Sequence, residues 1–166
     1  MTGVTAVDLD REPFFEGMSE PSLHRLASAA HPVDFPAGRR MFEEGGTADR
    51  FWVVREGTVE LDLHVPGRGL VIIETFGPGS VLGWSWLYAP YRWRFGARTS
   101  GEVRAIEFDG RLVRAICAVD HAMAYELSRR FTEVIVDRLQ ATRMRLLDLY
   151  AAPWERRWAP DGPHAK

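Results

Sequence analysis

The sequence predicts a mainly β domain with flanking helices, in which an antiparallel jelly-roll β barrel lies between a short N-terminal helix and a long C-terminal helix. Residues 33–108 consist of brief apolar runs separated by Gly and Pro at strand-length intervals. Residues 120–149 contain neither Gly nor Pro and are therefore expected to form one helix. We place the domain at residues 19–149, with an N-terminal tail at 1–18 and a flexible C-terminal tail at 150–166.

The short helix is predicted over residues 19–30, "SEPSLHRLASAA". Ser19 is a favourable N-cap, and Pro21 falls in the first turn, where its missing N–H costs nothing. Leu23 and Leu26 repeat at helical spacing and supply an apolar face.

The strand pattern is clearest at residues 59–65, where Val59, Leu61, Leu63 and Val65 alternate with polar residues. The "VPGRGL" that follows contains the Pro and Gly residues of a hairpin turn. Together they indicate two consecutive antiparallel strands.

The long helix is expected at about residues 120–149, with Asp120 as its N-cap. At 1.5 Å per residue it would be about 45 Å long, which is more than a small barrel can cover. We therefore expect a homodimer formed through part of its apolar stripe, although a helix that only packs on its own core is the alternative. The stripe consists of Leu127, Phe131, Ile135, Leu139, Thr142, Leu146 and Leu149.

Composition restricts the possible functions. The 166 residues carry 21 Lys and Arg against 23 Asp and Glu, a net charge of −2, which provides no general attraction to nucleic acid or anionic membranes. The one cysteine, Cys117, excludes an intramolecular disulfide and suits a reducing compartment. The chain shows no signal peptide or membrane-spanning run, so we expect a cytoplasmic protein with no membrane association.

One segment is more specific than the fold class. Residues 35–61, "FPAGRRMFEEGGTADRFWVVREGTVEL", resemble the start of the cyclic nucleotide-binding domain found in the catabolite activator family and in kinase regulatory subunits. The resemblance extends over about residues 20–149. It implies a non-enzymatic regulatory or sensor domain that signals through protein contacts, with a cyclic nucleotide or another phosphate as its possible ligand and no other cofactor.

The "FGPGSVLGW" of residues 76–84 resembles the strand that leads into the phosphate-binding cassette of this family. The resemblance implies ligand contacts at Gly83, Trp84 and Ser85, and a phosphate-pairing arginine at Arg92 or Arg94. The family has a glutamate for the ribose hydroxyl where this chain has Trp84, and indole can only donate one hydrogen bond. We therefore expect neither cyclic AMP nor cyclic GMP to bind tightly.

The "RLQAT" of residues 138–142 resembles the catabolite activator segment whose threonine contacts the purine ring. This makes Thr142 a further candidate ligand contact. The alternative is that its hydroxyl bonds the carbonyl of the preceding helical turn.

Two other functions stay open. The first is an interaction module without a ligand, in which Trp84, Trp86, Trp93 and Phe95 fill the pocket. The second is a cupin-like metal enzyme, although the five histidines are dispersed and only His64 lies on a clear strand. Because only residues 150–166 follow Leu149, we expect no DNA binding by this chain alone. The protein partner is not indicated by the sequence.

Overall fold

In the computed structural model, which describes residues 3–155 and the side chains of 3–150, the strands form two four-stranded antiparallel sheets. Their orders are β1-β8-β3-β6 and β2-β7-β4-β5. The strands are β1 Ala30–Phe35, β2 Arg40–Phe42, β3 Arg50–Glu56, β4 Val59–Val65, β5 Gly69–Phe76, β6 Val81–Leu82, β7 Gly96–Thr99 and β8 Val103–Asp109. The mainly β class is confirmed, but the sheets do not close into the expected barrel, because each has two edge strands.

The chain divides into two units, Met1–Ser128 and Arg129–Lys166. The first contains both sheets and three helices, α1 Ala6–Asp10, α2 Glu20–Ala27 and α3 Gly110–Val119. Helix α4, His121–Glu155, begins in the first unit and provides the described part of the second. Within residues 3–155, no helix is both long enough and apolar enough to cross a membrane.

The predicted helix ends are set by their caps. The Ser19 hydroxyl accepts a hydrogen bond from the N–H of Ser22 at 3.4 Å, and α2 ends at Ala27 because Ala30 already begins β1. The Asp120 carboxylate accepts from the N–H of Met123 at 3.1 Å. Both the short N-terminal helix and the long C-terminal helix are confirmed.

The hairpin of β4 and β5 also follows the prediction. Val59 pairs with Phe76, and the register continues to Val65 and Gly69 across the expected turn. One irregularity between Leu61 and Asp62 shifts the pairing by a residue. Such bulges increase local twist and redirect side chains.

The two predicted tails are wrong in part. Residues 1–18 contain α1, whose Thr5 and Asp8 form a reciprocal capping box, and they bury Leu9 and Phe15 completely. The expected flexible tail at 150–166 is helical as far as Glu155, and residues 156–166 lie outside the described residues.

Helix α3 is absent from the sequence prediction. It begins directly after β8, where the Asp109 carboxylate accepts hydrogen bonds from the N–H groups of Arg111 and Leu112 at 2.9 and 3.1 Å. Val113 on this helix is fully buried. The helix therefore covers the end of the first sheet, and the long helix does not follow the strands directly but begins at His121, after α3.

An ion pair between half-buried Arg40 and buried Asp62 joins β2 to β4. The Arg40 guanidinium donates to both carboxylate oxygens of Asp62, one of them at 2.8 Å, and also to Glu43 at 2.9 Å. Hydrogen bonding to Asp62 raises the pKa of Arg40 above its ordinary value. Gly96 on β7 leaves the space for this pair, since a Cβ at that position would lie 2.5 Å from Asp62 Oδ1.

We expect Gly96→Ala to lower the free energy of unfolding by about 2–4 kcal/mol, because the added methyl separates a buried ion pair. Urea denaturation at neutral pH measures the loss. The matched control is Gly101→Ala, whose Cβ would meet nothing within 4 Å and should change stability by less than about 0.5 kcal/mol. Equal values for the two variants would contradict this role of Gly96.

Candidate functional site

The candidate site is the cassette segment, residues 83–95, which connects β6 to β7. It begins at Gly83, whose φ of +83° lies in the left-handed region that other residues rarely adopt. A three-residue 3₁₀ turn, Ser85–Leu87, follows it. The segment contains five of the six ligand contacts that the sequence predicts.

The Trp93 ring occupies the space in front of Gly83. A Cβ on Gly83 would lie 3.0 Å from Trp93 Cζ3 and 3.1 Å from Cη2. Two backbone hydrogen bonds also hold Trp93 in place. The Trp93 N–H donates to the Gly46 carbonyl at 2.9 Å, and the Trp93 carbonyl accepts from the Gly45 N–H at 2.8 Å. Trp93 is only 6% exposed. A tryptophan ten residues later in the chain thus packs against Gly83.

Trp93 belongs to an aromatic cluster between the two sheets. Its ring stacks on Phe42 with centroids 4.1 Å apart, and Phe42 stacks in turn on Trp52 at 5.5 Å. Phe95 and Leu82 pack into the same core. Offset stacking of this kind stabilises beyond the area that it buries, by about 0.5–1.5 kcal/mol for each pair.

Trp84 and Trp86 have different positions. Trp84 is half-buried and caps the 3₁₀ turn only through its carbonyl, which accepts from the Leu87 N–H at 3.1 Å. Trp86 is fully buried in a second cluster, where its ring stacks on Phe51 at 4.9 Å. Phe51 and Trp52 are adjacent on β3 and so lie on opposite faces of the sheet. The sequence predicted that four aromatic side chains fill one pocket. Trp93 and Phe95 lie in the core between the sheets, whereas Trp86 lies in the second cluster.

The two candidate arginines point away from that core. Arg92 and Arg94 are exposed, while Trp93 between them is buried. Arg92 Nη1 donates to the Gly45 carbonyl at 2.9 Å. Neither guanidinium forms an ion pair with a residue of the described chain. A cation–π pair is formed instead by Arg114 over the Tyr91 ring, at 4.3 Å from its centroid.

Arg114 was missed by the sequence analysis, because the helix that carries it was missed. It lies on α3 and makes two contacts with the cassette segment. Besides covering Tyr91, its Nη1 donates to the Trp86 carbonyl at 2.6 Å. Tyr91 has a φ of +54°, unusual for a residue with a side chain, and its N–H donates to the Tyr88 carbonyl at 2.9 Å.

Two further candidate residues complete the set. Ser85 is buried in the 3₁₀ turn. Thr142 lies in the second unit and is exposed, and its hydroxyl donates to the Arg138 carbonyl at 2.9 Å. This is the bond to the preceding helical turn that the sequence left as the alternative to a ligand contact.

A cavity of about 380 Å³ opens beside the aromatic cluster, and the six predicted contacts are not among its lining residues. One of its carboxylates is already bonded within the lining: buried Glu107 accepts from Arg50 Nη1 at 3.0 Å and from Trp52 Nε1 at 2.7 Å. Its lining is Phe35, Arg39–Glu43, Gly46, Thr47, Asp49, Arg50, Trp52, Trp93 and Glu107.

The cupin-like alternative finds no ligand set in the described part of the chain, where no three His, Cys, Asp or Glu side chains are grouped so that they could hold a metal ion. Cys117 is half-buried, and burial raises the pKa of its thiol. A thiol with a raised pKa is a poor nucleophile at neutral pH.

The family model described as the cyclic nucleotide-binding domain matches residues 32–120. This chain belongs to that family. The match covers the strands, the cassette segment and α3, and the resemblance inferred from residues 35–61 and 76–84 is confirmed.

The chain is similar to one characterised regulator and to two solved structures. The CRP-like cAMP-activated global transcriptional regulator of Mycobacterium tuberculosis is 30% identical over 141 residues, which are 85% of this chain and 61% of the regulator. A cyclic nucleotide-binding protein of Geobacter metallireducens is 25% identical with a TM-score of 0.75, over 82% of this chain and 98% of that one. The Thermus thermophilus catabolite activator protein shares the fold, with 18% identity and a TM-score of 0.66 over 84% and 63%.

We expect Trp93→Ala to lower the free energy of unfolding by about 3–5 kcal/mol, since it removes a large buried ring and leaves a cavity between the sheets. Trp84→Ala is the matched control in the same segment, and its half-buried ring should cost less than about 2 kcal/mol. Chemical denaturation of both variants compares them. A cost for Trp84→Ala as large as that for Trp93→Ala would show that Trp93 is not the principal aromatic of this site.

Proposed function

We propose that this protein is a non-enzymatic regulatory domain in which the Trp93 side chain takes the place of a bound cyclic nucleotide, and that it signals through protein contacts. The observation that carries this proposal is the Trp93 ring lying 3.0 Å from the Cβ position of Gly83. In the family this glycine opens the cassette whose N–H groups face the cyclic phosphate. In this proposal the Trp93 ring, packed against Gly83, takes the space that a phosphate group would need.

Three other features support the proposal. Trp84 replaces the carboxylate that would hold the ribose hydroxyl, and Arg92 and Arg94 are directed to solvent. The turn after Trp84 has only three residues, so its peptide dipoles add little attraction for an anion. The relative in M. tuberculosis is named as cAMP-activated, but this chain keeps few of the groups that would recognise that ligand.

The alternative is a sensor for an unusual phosphate ligand, and it requires Trp93 to leave the core. A ligand with a Kd of 1 μM contributes about 8.2 kcal/mol, of which expelling the ring would consume about 3–5 kcal/mol. The remaining affinity would be close to the millimolar range. Geometry therefore favours the domain without an interior ligand.

A thermal-shift panel of cyclic AMP, cyclic GMP, cyclic dinucleotides and inorganic phosphate tests this proposal. We expect changes in Tm below about 1 °C for wild type, whereas a ligand at 100 times its Kd should raise Tm by more than about 5 °C. Trp84→Glu should also give no shift, because Trp93 still occupies the space. A clear shift with cyclic AMP in wild type that disappears in Arg92→Ala would overturn the proposal.

We also propose that two copies associate through the second unit. Leu139, Leu146 and Leu149 are 47%, 49% and 72% exposed, and they form the later part of the predicted apolar stripe. Exposed leucines at helical spacing favour a helix–helix interface.

We expect Leu146→Glu to raise the dimer dissociation constant at least about tenfold, because it places a charge in the exposed later part of the stripe. Sedimentation velocity over a concentration series measures this constant. Gln140→Glu adds the same charge beside the stripe and should have little effect. A monomeric wild type, or equal weakening by both variants, would refute association through this face.

A further inference from the structure

The outer surface of the cassette segment differs from its interior in chemistry. Tyr88 and Tyr91 are 52% and 36% exposed, and Arg92 and Arg94 lie beside them. Residues 76–101 contain no Asp or Glu, although the whole chain carries a net charge of −2. We call Tyr88, Tyr91, Arg92 and Arg94 the outer cassette surface.

The positive charge of this surface is not neutralised within the described chain. Arg92 is bonded to a neutral carbonyl, and Arg94 has no hydrogen bond to a described residue. Arg98, on the adjoining strand, is also exposed, but it donates to Glu60 at 2.9 Å. Two uncompensated guanidiniums therefore lie next to two exposed phenol rings.

Tyr91, within this surface, is held in place by its neighbours. Arg114 fixes the Tyr91 ring from one side, and the Tyr91 carbonyl accepts from the Ala48 N–H at 2.8 Å. A surface that is ordered before it binds loses little conformational entropy on association. Tyr and Arg are also the residue types that most often dominate binding energy at protein interfaces.

We propose that the outer cassette surface docks an acidic segment of a partner protein. This inference rests on the proposed function, in which signals pass through protein contacts, and it names the surface and the chemistry of the partner. Charge complementarity selects an acidic partner, and the tyrosines favour one that presents apolar or aromatic groups beside its carboxylates. Two arginines are too few for the phosphate contacts that nucleic acid binding requires in a chain of negative net charge.

Selection from a random dodecamer peptide display library on the immobilised full chain tests the docking surface, with counter-selection on the Arg92→Gln/Arg94→Gln variant. We expect the enriched peptides to be rich in Asp and Glu. In fluorescence anisotropy with the most enriched peptide, the double variant should bind at least about tenfold more weakly and Tyr88→Ala several-fold more weakly. Thermal melting of each variant confirms that it is folded.

Arg68→Gln is the matched control, because Arg68 is exposed in the β4–β5 turn and its loss removes the same charge elsewhere. It should change peptide affinity less than about twofold. Enrichment without acidic residues, equal binding by the double variant, or an equal loss in Arg68→Gln would overturn the proposal. So would Arg92- and Arg94-dependent binding of a 20-bp DNA duplex or phosphatidylglycerol vesicles that is tighter than that of every selected peptide. A rise in Tm with a cyclic nucleotide would refute only the proposal that Trp93 takes the place of a ligand. The peptide outcomes above would refute only the docking surface.

Discussion

The packing of Trp93 against Gly83 is the constraint on which the rest of the cassette depends. The ring needs a glycine in front of it, and it needs Phe42 and Trp52 to complete the core between the sheets. Its two backbone hydrogen bonds to Gly45 and Gly46 tie residues 91–95 to the loop before β3. With Trp93 directed inward, its two neighbours in the chain lie on the exposed side of the segment. The exposure of Arg92 and Arg94 follows from that single choice.

A side chain in the core differs from a ligand in its thermodynamic effect. It is present at unit occupancy, so the stability that it contributes does not vary with the concentration of any small molecule. A ligand can shift a conformational equilibrium only through its different affinity for two states. If Trp93 occupies the ligand position, the interior cannot report on a cyclic nucleotide. Any regulation of this domain would then depend on its surfaces.

The sequence predicted the features that arise from local chemistry. The caps at Ser19 and Asp120, the alternation from Val59 and the turn of the β4–β5 hairpin each depend on a few neighbouring residues, and each is present. Helix α3 was missed because its cap, Asp109, is also the last residue of β8 and its first residue is Gly110. Burial of Leu9 and Phe15 depends on contacts distant in sequence, such as Phe15 with Phe108 at 5.6 Å, which no local pattern reveals.

The sequence predicted which segment forms the candidate site but not how its side chains are arranged. Gly83 and the replacement at Trp84 were recognisable by position, yet the packing of Trp93 against Gly83 was not. The direction of each side chain in residues 91–95 depends on Tyr91, whose φ of +54° interrupts any regular alternation that could be read from sequence.

Arg114 explains how such a segment can be held from both sides. On the inner side, Trp93 packs in the core; on the outer side, Arg114 contacts the Tyr91 ring and bonds the Trp86 carbonyl. Because Arg114 belongs to α3, a displacement of the cassette segment would break contacts to that helix as well as to the core. A displacement of α3 would likewise act on the cassette segment, since linkage between two sites is reciprocal. In the proposed function, a partner that docks on Tyr88 and Tyr91 therefore acts on α3 through Arg114. The signal then begins at the protein surface and not at a ligand in the interior.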